Sequence, residues 1–478
     1  MAHFLVIDQG THASRCIIFN AAGQIQAKSE HSLSIYRQDN GFIEQNAEEI
    51  LHSVQQCLDQ LRSDPAFPLI TAAALITQRS TIVAYEQRSG AALSAAISWQ
   101  DTRAAASLQP LHANAAEIKS ITGLVISPHY GASKINWLLT HNKQCQQALQ
   151  AQQLIIAPLA SYLLRHLSTA SRPLIDHVNA SRTQLFDINT LQWSQRMINQ
   201  FKIDQSCLPD VRPCVDSFGL LKQDNIPINL LNGDQNAALF ANAMPSDDAI
   251  LVNIGTGAFA LTLTAKLQQH PKLLCGLALS QAGQARYLLE GTVNGAGAAL
   301  DALFSETDQT LLFKQLPVWL ETITEPAVYI NSISGLGSPW WNSHITPHYL
   351  QRASDQIDLP ERAVSVIESI VFLLQNNIEL LCSGDNRQII ISGGLSRLDG
   401  LCQKLADLSQ LDVRRYDNTE ASASGAAWIL AQSEDQENTP WQPDLKADCF
   451  MPAKQPLLHQ RYRLFKQELN RLCQNDHK

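Results

Sequence analysis

The sequence lacks the patterns that mark several large classes of protein. Its 478 residues include ten cysteines. None of them forms a C-x-x-C pair or has metal-site spacing to a histidine, which argues against a zinc module or a disulfide framework. Scattered thiols of this kind predict reduced cysteines in a cytoplasmic protein. The net charge is −9, and an acidic balance argues against a nucleic acid or an anionic membrane as a partner.

Segments for targeting and two common nucleotide motifs are also missing. No apolar stretch approaches the length of a membrane span, and the N-terminus has neither a basic region nor a small-residue cleavage site for secretion. The pattern G-x-x-x-x-G-K-[ST] is absent, so a P-loop enzyme is not predicted. The segment 294–303, NGAGAALDAL, lacks a complete G-x-G-x-x-G after a clear strand, so a dinucleotide site is a poor interpretation.

A strand–turn–strand pattern occurs twice in the chain. Residues 3–19 read HFLVIDQGTHASRCIIF, with apolar runs on both sides of a Gly-Thr turn. Residues 249–264, AILVNIGTGAFALTLT, repeat this arrangement about half a chain later, which predicts a duplicated domain. Helical spacing at 47–61 and short strands elsewhere alternate along the chain and predict α/β layers. A third glycine turn follows a strand-like run at 389–400.

The division of the chain follows from this repeat. Residues 244–248, Met-Pro-Ser-Asp-Asp, form a plausible junction, so we predict domains over 1–244 and 245–478. The polar, proline-bearing stretch 432–456 is interpreted as a surface connection. A closing amphipathic helix is predicted over about 456–474, and its apolar face consists of Leu458, Tyr462, Phe465, Leu469 and Leu472.

The glycine turns indicate phosphate chemistry. A glycine turn exposes backbone N–H groups to phosphate oxygens, and a nearby carboxylate can hold Mg²⁺. One such turn is also typical of an ordinary hairpin, whereas a pair of turns, one from each domain, favours a nucleotide triphosphate held in a cleft between them. A base is then needed, and Asp234 follows a glycine and precedes an apparent helix in LNGDQNAAL, 231–239. It is either that base or a simple helix N-cap.

At these residues the sequence resembles the FGGY carbohydrate kinases, and among them the glycerol kinases. The resemblance covers nearly the whole chain, and its segments occur in the family's order. They read DQGTHASR (8–15), ITQRST (76–81), SWQDTR (98–103), TGLVISPHYGASKINWLL (122–139), NASRTQLFDINTLQW (179–193), GDQNAAL, NIGTGAF, EGTVNGAGAA, GLGSPWW, VIESI and ISGG.

The resemblance implies an actin-like ATPase (ribonuclease H-like) fold, in which two related domains flank a deep cleft. It implies transfer of the γ-phosphoryl group of ATP, with Mg²⁺, to a hydroxyl of a small polyol or sugar, and a possible homo-oligomer. Asp234 matches the catalytic base and Asp8 the magnesium-associated carboxylate. The implied substrate-binding residues are Arg79, Ser80, Trp99, His129, Asp234, Gln235 and Phe259. The implied nucleotide-binding residues are Thr11, His12, Arg15, Gly255, Thr256, Gly297, Asp301, Gly394 and Leu398.

Several of these positions depart from the family's pattern. Ser80 replaces a glutamate, and His129 replaces a tyrosine, although Tyr130 is adjacent. Ser80 brings no charge, so the substrate site loses a strong acceptor. These two changes put glycerol itself in doubt.

On the nucleotide side, His12 replaces a threonine. Asp301 lies where the family has a glutamine, and Leu398 lies where it has an asparagine. These departures leave open weak ATP affinity, another phosphoryl donor or impaired catalysis.

Three functions are therefore weighed. An active ATP-dependent polyol or sugar kinase is favoured because Asp8, Arg79, Trp99 and Asp234 are retained. The alternative is a degenerate kinase that senses a sugar or nucleotide without turnover, which the departures at His12 and elsewhere motivate. A chaperone-like or scaffold member of the actin-like superfamily is disfavoured, because such a protein does not need the substrate-side matches.

Overall fold

A computed structural model describes residues 2–246, 248–304, 309–350, 352–382, 388–433, 441 and 446–475. The chain up to residue 246 is called the first half, and the chain from residue 248 is called the second half. Part of the predicted junction (Asp247) and part of the predicted surface connection (434–440 and 442–445) lie outside the described residues.

The strands of the described residues are β1 His3–Gln9, β2 Ala13–Asn20, β3 Ile25–Ser32, β4 Tyr36–Arg37, β5 Ile43–Gln45, β6 Ile70–Thr77, β7 Ile82–Glu86, β8 Ala96–Ile97, β9 Leu154–Pro158, β10 Leu174–Asp176, β11 Phe186–Asp187, β12 Gln192–Trp193, β13 Asp210–Arg212, β14 Ile228–Gly233, β15 Ala249–Ile254, β16 Ala258–Thr264, β17 Leu274–Gln281, β18 Gln284–Val293, β19 Tyr329–Ile330, β20 His348–Tyr349, β21 Gln388–Ser392, β22 Asp412–Tyr416 and β23 Ala447–Phe450.

The α-helices of the described residues are α1 Ala47–Leu61, α2 Ala115–Thr122, α3 Gly131–His141, α4 Lys143–Gln150, α5 Leu159–Leu167, α6 His177–Ser181, α7 Gln195–Gln200, α8 Asp234–Ala238, α9 Gly297–Phe304, α10 Gln309–Thr322, α11 Leu359–Leu381, α12 Asp399–Ser409, α13 Ala421–Ser433 and α14 Pro456–Asn475.

The two main sheets share one topology. In the first half the strand order is β3-β2-β1-β6-β14, and β1, β2 and β3 form an antiparallel meander to which β6 and β14 are added in parallel. In the second half β18-β16-β15-β21-β22 repeats this order and these directions, with β17 and β23 added at the edges. The predicted duplication is therefore confirmed at the level of sheet topology, and the predicted hairpins around both Gly-Thr turns are present.

Local sequence explains why these elements form where they do. Helix α1 has the bounds that its spacing predicts, because Asn46 caps it by accepting hydrogen bonds from the N–H groups of Glu48 and Glu49. One face of α1 is buried against β2 and β3. Strands β1 and β6 are buried along most of their length, which is typical of central strands covered on both faces.

Helix α11 requires a correction. No apolar stretch of membrane-span length was predicted, yet α11 has 23 residues and a mean hydropathy of 1.4 over its most apolar window, enough by length and composition to cross a membrane. Within the protein 89% of that window is buried. Helix α11 packs against β16, β18 and α12, as expected of a core helix.

Helix α13 crosses from the second half onto the first. It packs against α8, β1 and β6, and the ring of Trp428 stacks on Phe240 with centroids 5.6 Å apart. Gly425 permits this approach, since a Cβ atom there would lie 1.8 Å from the carbonyl oxygen of Ala237. The two halves are thus joined by packed helices as well as by the chain.

The chain after α13 differs from its prediction as a surface connection. Residues Ala447–Phe450 form the edge strand β23, which pairs antiparallel with β22. The strand is not evident from the sequence, because its side chains are exposed and do not alternate strictly between apolar and polar. Helix α14 follows, and it buries Leu458, Tyr462, Phe465 and Leu469.

Candidate active site

A cavity of about 890 Å³ lies between the two halves. Five of the predicted site residues line it: Asp8, Arg15 and Gln235 from the first half, and Phe259 and Gly394 from the second. The other predicted residues are not part of its lining. Residues that are more than 200 positions apart in the sequence are thus brought to one cleft by the packing of the two halves.

The charges of two carboxylates of the first half, Asp8 and Asp234, act on each other. Asp8 is 5% exposed, and burial, followed by the charge of Asp234, raises its pKa to about 7. An Arg15 guanidinium nitrogen lies 4.0 Å from the Asp8 carboxylate and also neighbours Glu30 and Glu420. Close carboxylates that repel each other in this way are a donor set that a divalent cation stabilises.

The carboxylate of Asp8 fits Mg²⁺. Magnesium in phosphoryl-transfer sites takes one or two protein carboxylates and completes its octahedron with phosphate oxygens and water. Asp8 supplies one such carboxylate, and the negative charge of Asp234 that acts on it favours a cation there. No cluster of three or more His, Cys, Asp or Glu side chains suitable for a metal occurs in the part of the chain that the structure describes, so an all-protein metal cage is not formed there.

Asp234 is the first residue of α8, and Gly233 is the N-cap. The Asp234 carboxylate accepts a hydrogen bond from the N–H of Gln235 at 2.7 Å, whereas an N-cap side chain accepts from residues two or three positions later. The alternative interpretation as an N-cap is therefore wrong. Desolvation by burial raises the pKa of Asp234, which makes this carboxylate a better proton acceptor than an exposed aspartate.

Arg79 is held against the start of α8. It donates to the amide oxygen of Asn236 at 2.8 Å and to that of Gln235. Burial, followed by the charge of Arg182, lowers the pKa of Arg79 to about 10. Gly233 makes room for this side chain, since a Cβ atom there would lie 2.6 Å from Arg79 Cγ. The predicted substrate residues Arg79, Asp234 and Gln235 are therefore neighbours.

Trp99 is fixed by the first glycine turn. Its indole N–H donates to the Thr11 hydroxyl at 3.1 Å, and the Thr11 carbonyl accepts from Gln45 at 2.9 Å. The Thr11 hydroxyl was predicted to contact phosphate. It instead accepts a hydrogen bond from Trp99, a predicted substrate-binding residue. His12 is exposed at the turn, and its backbone carbonyl accepts from Leu33 at 2.8 Å.

A buried lysine that the sequence analysis missed supports two of the predicted residues. Lys134 is 0% exposed, and its ammonium group donates to the backbone carbonyls of Ser80 at 3.2 Å and His129 at 2.9 Å. Ser80 has a left-handed backbone with φ of 64°, and His129 Nδ1 donates to the Trp99 carbonyl at 3.1 Å. Burial lowers the pKa of Lys134 to about 7. The signal in the sequence that could have identified this residue was a lysine on an apolar helix face.

A second group consists of Tyr130 with two residues that the sequence analysis missed, Arg182 and Glu290. Tyr130 is 8% exposed, and the Arg182 guanidinium lies 5.5 Å from its ring centroid. A guanidinium nitrogen of Arg182 lies 3.9 Å from the Glu290 carboxylate, so the contact joins the two halves. Tyr130, rather than the exposed His129, adjoins the charged groups. Tyr130 was noted in the sequence as a neighbour of His129 that could replace the family's tyrosine, whereas Arg182 and Glu290 were assigned no role.

In the second half the glycine turn 255–257 packs on the start of α9. The N–H of Gly297 donates to the Gly255 carbonyl at 2.9 Å, and the N–H of Ala298 donates to the Thr256 carbonyl at 3.0 Å. A Cβ atom on Gly297 would lie 2.8 Å from the Gly255 carbonyl oxygen, whereas one on Gly394 would meet nothing within 4 Å. Gly297 is therefore required by packing, and Gly394 lies beside open space.

Two predicted nucleotide residues differ in their surroundings. Asp301 is exposed on α9. Leu398 is 8% exposed and belongs to the main hydrophobic core, where it is the N-cap residue of α12. Leucine at this position therefore serves the core, because an apolar side chain gains more from burial than from contact with a polar ligand.

Comparison with known proteins gives consistent matches. The chain matches the FGGY family of carbohydrate kinases, in its N-terminal domain over residues 3–241 and its C-terminal domain over residues 250–433. A glycerol kinase of Rhodospirillum rubrum is 32% identical over 444 residues, which cover 89% of each chain.

Two solved structures share the fold. The crystal structure of Plasmodium falciparum glycerol kinase with ADP superposes with a TM-score of 0.86 at 22% identity and covers 99% of this chain and 98% of that one. The xylulose kinase from Rhodospirillum rubrum superposes with a TM-score of 0.87 at 16% identity and covers 100% of both chains. The predicted α/β, actin-like ATPase fold is confirmed.

Proposed function

The chain belongs to the FGGY family of carbohydrate kinases, and from that premise we propose which residues perform its reaction. The protein transfers the γ-phosphoryl group of ATP, with Mg²⁺, to a hydroxyl of a small polyol or sugar. One observation carries the assignment of residues: Asp8 lines the cavity between the halves together with Gly394, and the charge of Asp234 acts on its carboxylate and raises its pKa.

Asp234 is the general base of this proposal. ATP bound with magnesium supplies the phosphoryl group, and Asp8 is the carboxylate of the chain that holds the metal, directly or through water. Asp234 accepts the proton of the acceptor hydroxyl as that oxygen attacks. Because desolvation raises its pKa, proton transfer to it is less uphill than to an exposed aspartate. Such a base contributes about 10²- to 10⁴-fold to the rate.

The acceptor is positioned by side chains of the first half. Arg79, fixed by Gln235 and Asn236, has donors that bind hydroxyl oxygens. Trp99, fixed through Thr11, offers an aromatic face for the carbon chain. Phe259 closes the same cleft from the second half. Lys134 donates hydrogen bonds to the backbone carbonyls of Ser80 and His129, and through this fixed backbone the two residues help to shape the acceptor site.

The nucleotide is bound mainly by backbone. We assign the phosphates to the turns at Thr11, His12 and Arg15 and at Gly255 and Thr256, because glycine turns of this kind can present backbone N–H groups to phosphate oxygens. Gly297 and Gly394 border the nucleotide, with Asp301 at the rim. Leu398 is a core residue without such a role. The division into a substrate domain over 1–244 and a nucleotide domain over 245–478 is part of this proposal.

The test is an ADP-release assay with glycerol, erythritol, ribitol, xylulose and ribulose. We expect magnesium-dependent turnover that one or more of these acceptors stimulates. A folded protein that binds ATP and shows no stimulated turnover would contradict the proposal. Acceptor binding without turnover in calorimetry is the outcome expected of the degenerate sensor, which the retention of Asp8, Asp234 and Arg79 disfavours.

Two further predictions, cytoplasmic location and assembly into a homo-oligomer, remain proposals. No disulfide joins any of the ten cysteines, all of which fall within the described ranges. Those thiols support cytoplasmic location. A homo-oligomer stays a prediction, and sedimentation would test it.

A further inference from the structure

Arg15 belongs to a row of charged side chains that crosses three adjacent strands. In the register of the first sheet it pairs with Asp8 on β1 and with Glu30 on β3. Side chains at directly opposite positions on one face of a sheet are within reach of each other. Arg15 Nη1 lies 4.0 Å from the Asp8 carboxylate, and Arg15 Nε lies 3.2 Å from that of Glu30. The guanidinium therefore connects a residue of the cavity with a residue of the outer strand.

The second half adds one more carboxylate to this row. Glu420 immediately precedes α13, and its side chain is 11% exposed. Its carboxylate lies 3.9 Å from Arg15 Nε and 2.5 Å from the ammonium group of Lys28 on β3. The backbone of Glu420 is fixed, since its N–H donates to Asn418 Oδ1 at 3.0 Å and its carbonyl accepts from the N–H of Ser424 at 2.8 Å. Lys28 and Glu420 are 392 positions apart, and they meet because α13 crosses onto the first half.

Two of the three carboxylates lie on the same edge of the guanidinium. The nitrogen of Arg15 closest to Glu30 and to Glu420 is Nε, whereas the one closest to Asp8 is Nη1. Arg15 donates a hydrogen bond to Glu30 through Nη2, at 3.4 Å, while Nη1 at 4.0 Å is beyond hydrogen-bond distance of Asp8. Asp8, Arg15 and Glu420 all line the cavity between the halves. The edge of the guanidinium that carries Nε is thus held by protein, and Nη1 is directed toward Asp8.

We propose that Glu420 is a positioning residue for Arg15: from the second half it holds the Nε edge of the guanidinium, so that Nη1 stays directed toward Asp8 and the phosphates of ATP. The inference rests on the proposed function, which assigns Arg15 to the phosphates, and it adds a residue that acts on them through Arg15. Because Glu420 is attached to α13, the phosphate site of the first half is complete only while α13 is packed across the two halves.

The sign of the change in KM separates this role from a simple effect of charge. Glu420→Gln removes a negative charge beside the cavity, and by electrostatics alone that should favour the binding of anionic ATP and lower KM. Loss of positioning has the opposite consequence. We expect KM for ATP to rise about twofold to fivefold, the range of a partly exposed ion pair, with KM for the acceptor unchanged. A KM for ATP that falls or stays the same would overturn the inference.

A double-mutant cycle shows whether Glu420 acts through Arg15. Arg15→Gln alone should raise KM for ATP, and adding Glu420→Gln to it should raise KM no further, because no guanidinium remains to be held. A second rise of the same size in the double variant would contradict the assignment. Glu420→Asp keeps the charge on a shorter side chain and should give an intermediate KM. It serves for the same cycle if Glu420→Gln does not fold.

Glu117→Gln is the matched control. It makes the same chemical change at an ion pair with Arg196, where the glutamate side chain is 39% exposed and lies outside the lining of the cavity. KM for ATP should stay at the native value in this variant. A rise equal to that of Glu420→Gln would show that the position of the carboxylate beside Arg15 is unimportant, and it would overturn the inference.

Failure of the inference differs from failure of the proposed function. If Arg15→Gln raises KM for ATP and Glu420→Gln does not, the phosphate role of Arg15 stands and the inference falls. If Arg15→Gln itself leaves KM for ATP unchanged, the phosphate role of Arg15 fails, and the inference falls with it. In a protein without turnover, titration with ATP in a calorimeter gives Kd values for the same cycle, and the same comparisons decide.

Discussion

The predicted site residues of the two halves are built in different ways. Those of the first half are Arg79, Ser80, Trp99, His129 and Asp234, called here the first-half wall; their proposed roles belong to side chains, which other groups hold through hydrogen bonds. Those of the second half are the turn 255–257 with Gly297 and Gly394, called here the second-half wall; the proposed role belongs to the backbone, and at Gly297 packing leaves no room for a side chain. The two halves share one sheet topology, so under this proposal duplication supplies two scaffolds for two kinds of recognition.

The difference shows what each ligand demands. Phosphate oxygens accept hydrogen bonds from any N–H group, so a glycine turn is sufficient to bind them. A hydroxyl that has to lose a proton needs a base of suitable pKa at a fixed place. The first-half wall should therefore respond strongly to changes of charge, and the second-half wall should respond to changes of volume.

The largest effect is expected for Asp234→Asn. The amide cannot accept the hydroxyl proton, so kcat should fall by about 10²- to 10⁴-fold. The fold should persist, because the amide oxygen still accepts from the N–H of Gln235. The measurement is steady-state ADP release together with a thermal unfolding curve. Asp210→Asn, at a side chain 57% exposed, is the matched control, and a similar kcat in both variants would remove Asp234 from the mechanism.

The next effect concerns volume on the other wall. A methyl group at residue 297 would lie 2.8 Å from the Gly255 carbonyl oxygen, so Gly297→Ala should displace the turn and raise KM for ATP by about tenfold or more. It should also lower Tm. Gly394→Ala meets no atom, so it should raise KM for ATP while leaving Tm unchanged. Equal Tm values for the two variants would show that the turn does not depend on this contact.

The pH dependence of kcat/KM should sharpen the role of charge on the first-half wall. Desolvation raises the pKa of Asp234, and the base acts only when ionised. The rate should therefore fall on the acid side about tenfold per pH unit below that raised value, at a higher pH than an exposed aspartate would give. A profile that stays flat down to the range of ordinary aspartates, near 4, would count against this assignment.

The smallest effect concerns the lysine behind the wall. Burial lowers the pKa of Lys134 to about 7 from 10.5, so between these values the unfolded chain binds more protons than the folded one. The free energy of unfolding should therefore rise with pH across that window through this group, and its contribution should be lowest below pH 7. Denaturant unfolding of the native protein and Lys134→Met should differ in this slope, and parallel pH profiles would contradict the prediction.

The sequence predicts the fold well and the site unevenly. Hydrophobic spacing located α1, and the two Gly-Thr turns revealed the duplicated sheets, because turn chemistry and periodicity are local properties. The edge strand β23 and the buried helix α11 were misjudged, since strand pairing and burial depend on distant partners. Arg182 and Glu290, more than a hundred positions apart, meet only when the halves pack, and no local pattern gives their contact.

The site residues show the same limit. The sequence assigned Asp8 and Asp234 from motifs, but it could not show that Thr11 is bonded to Trp99, which joins a turn of one motif to the aromatic residue of another. The burial of Leu398 could not be predicted from the sequence either, because it depends on how α12 packs against its surroundings. A role that one residue performs by itself can be predicted from the sequence. A role that depends on contact between two distant residues can be recognised only in the structure.

The crossing of α13 has a consequence for attempts to dissect the protein. A fragment ending at residue 244 would leave β1 and β6 without the helix that covers them, and the apolar groove beside Phe240 would be open to water. Such a fragment should aggregate rather than behave as an autonomous folding unit, although it contains nearly every acceptor-side group. Adding α13 as a separate peptide should cover these surfaces and restore the solubility of the fragment.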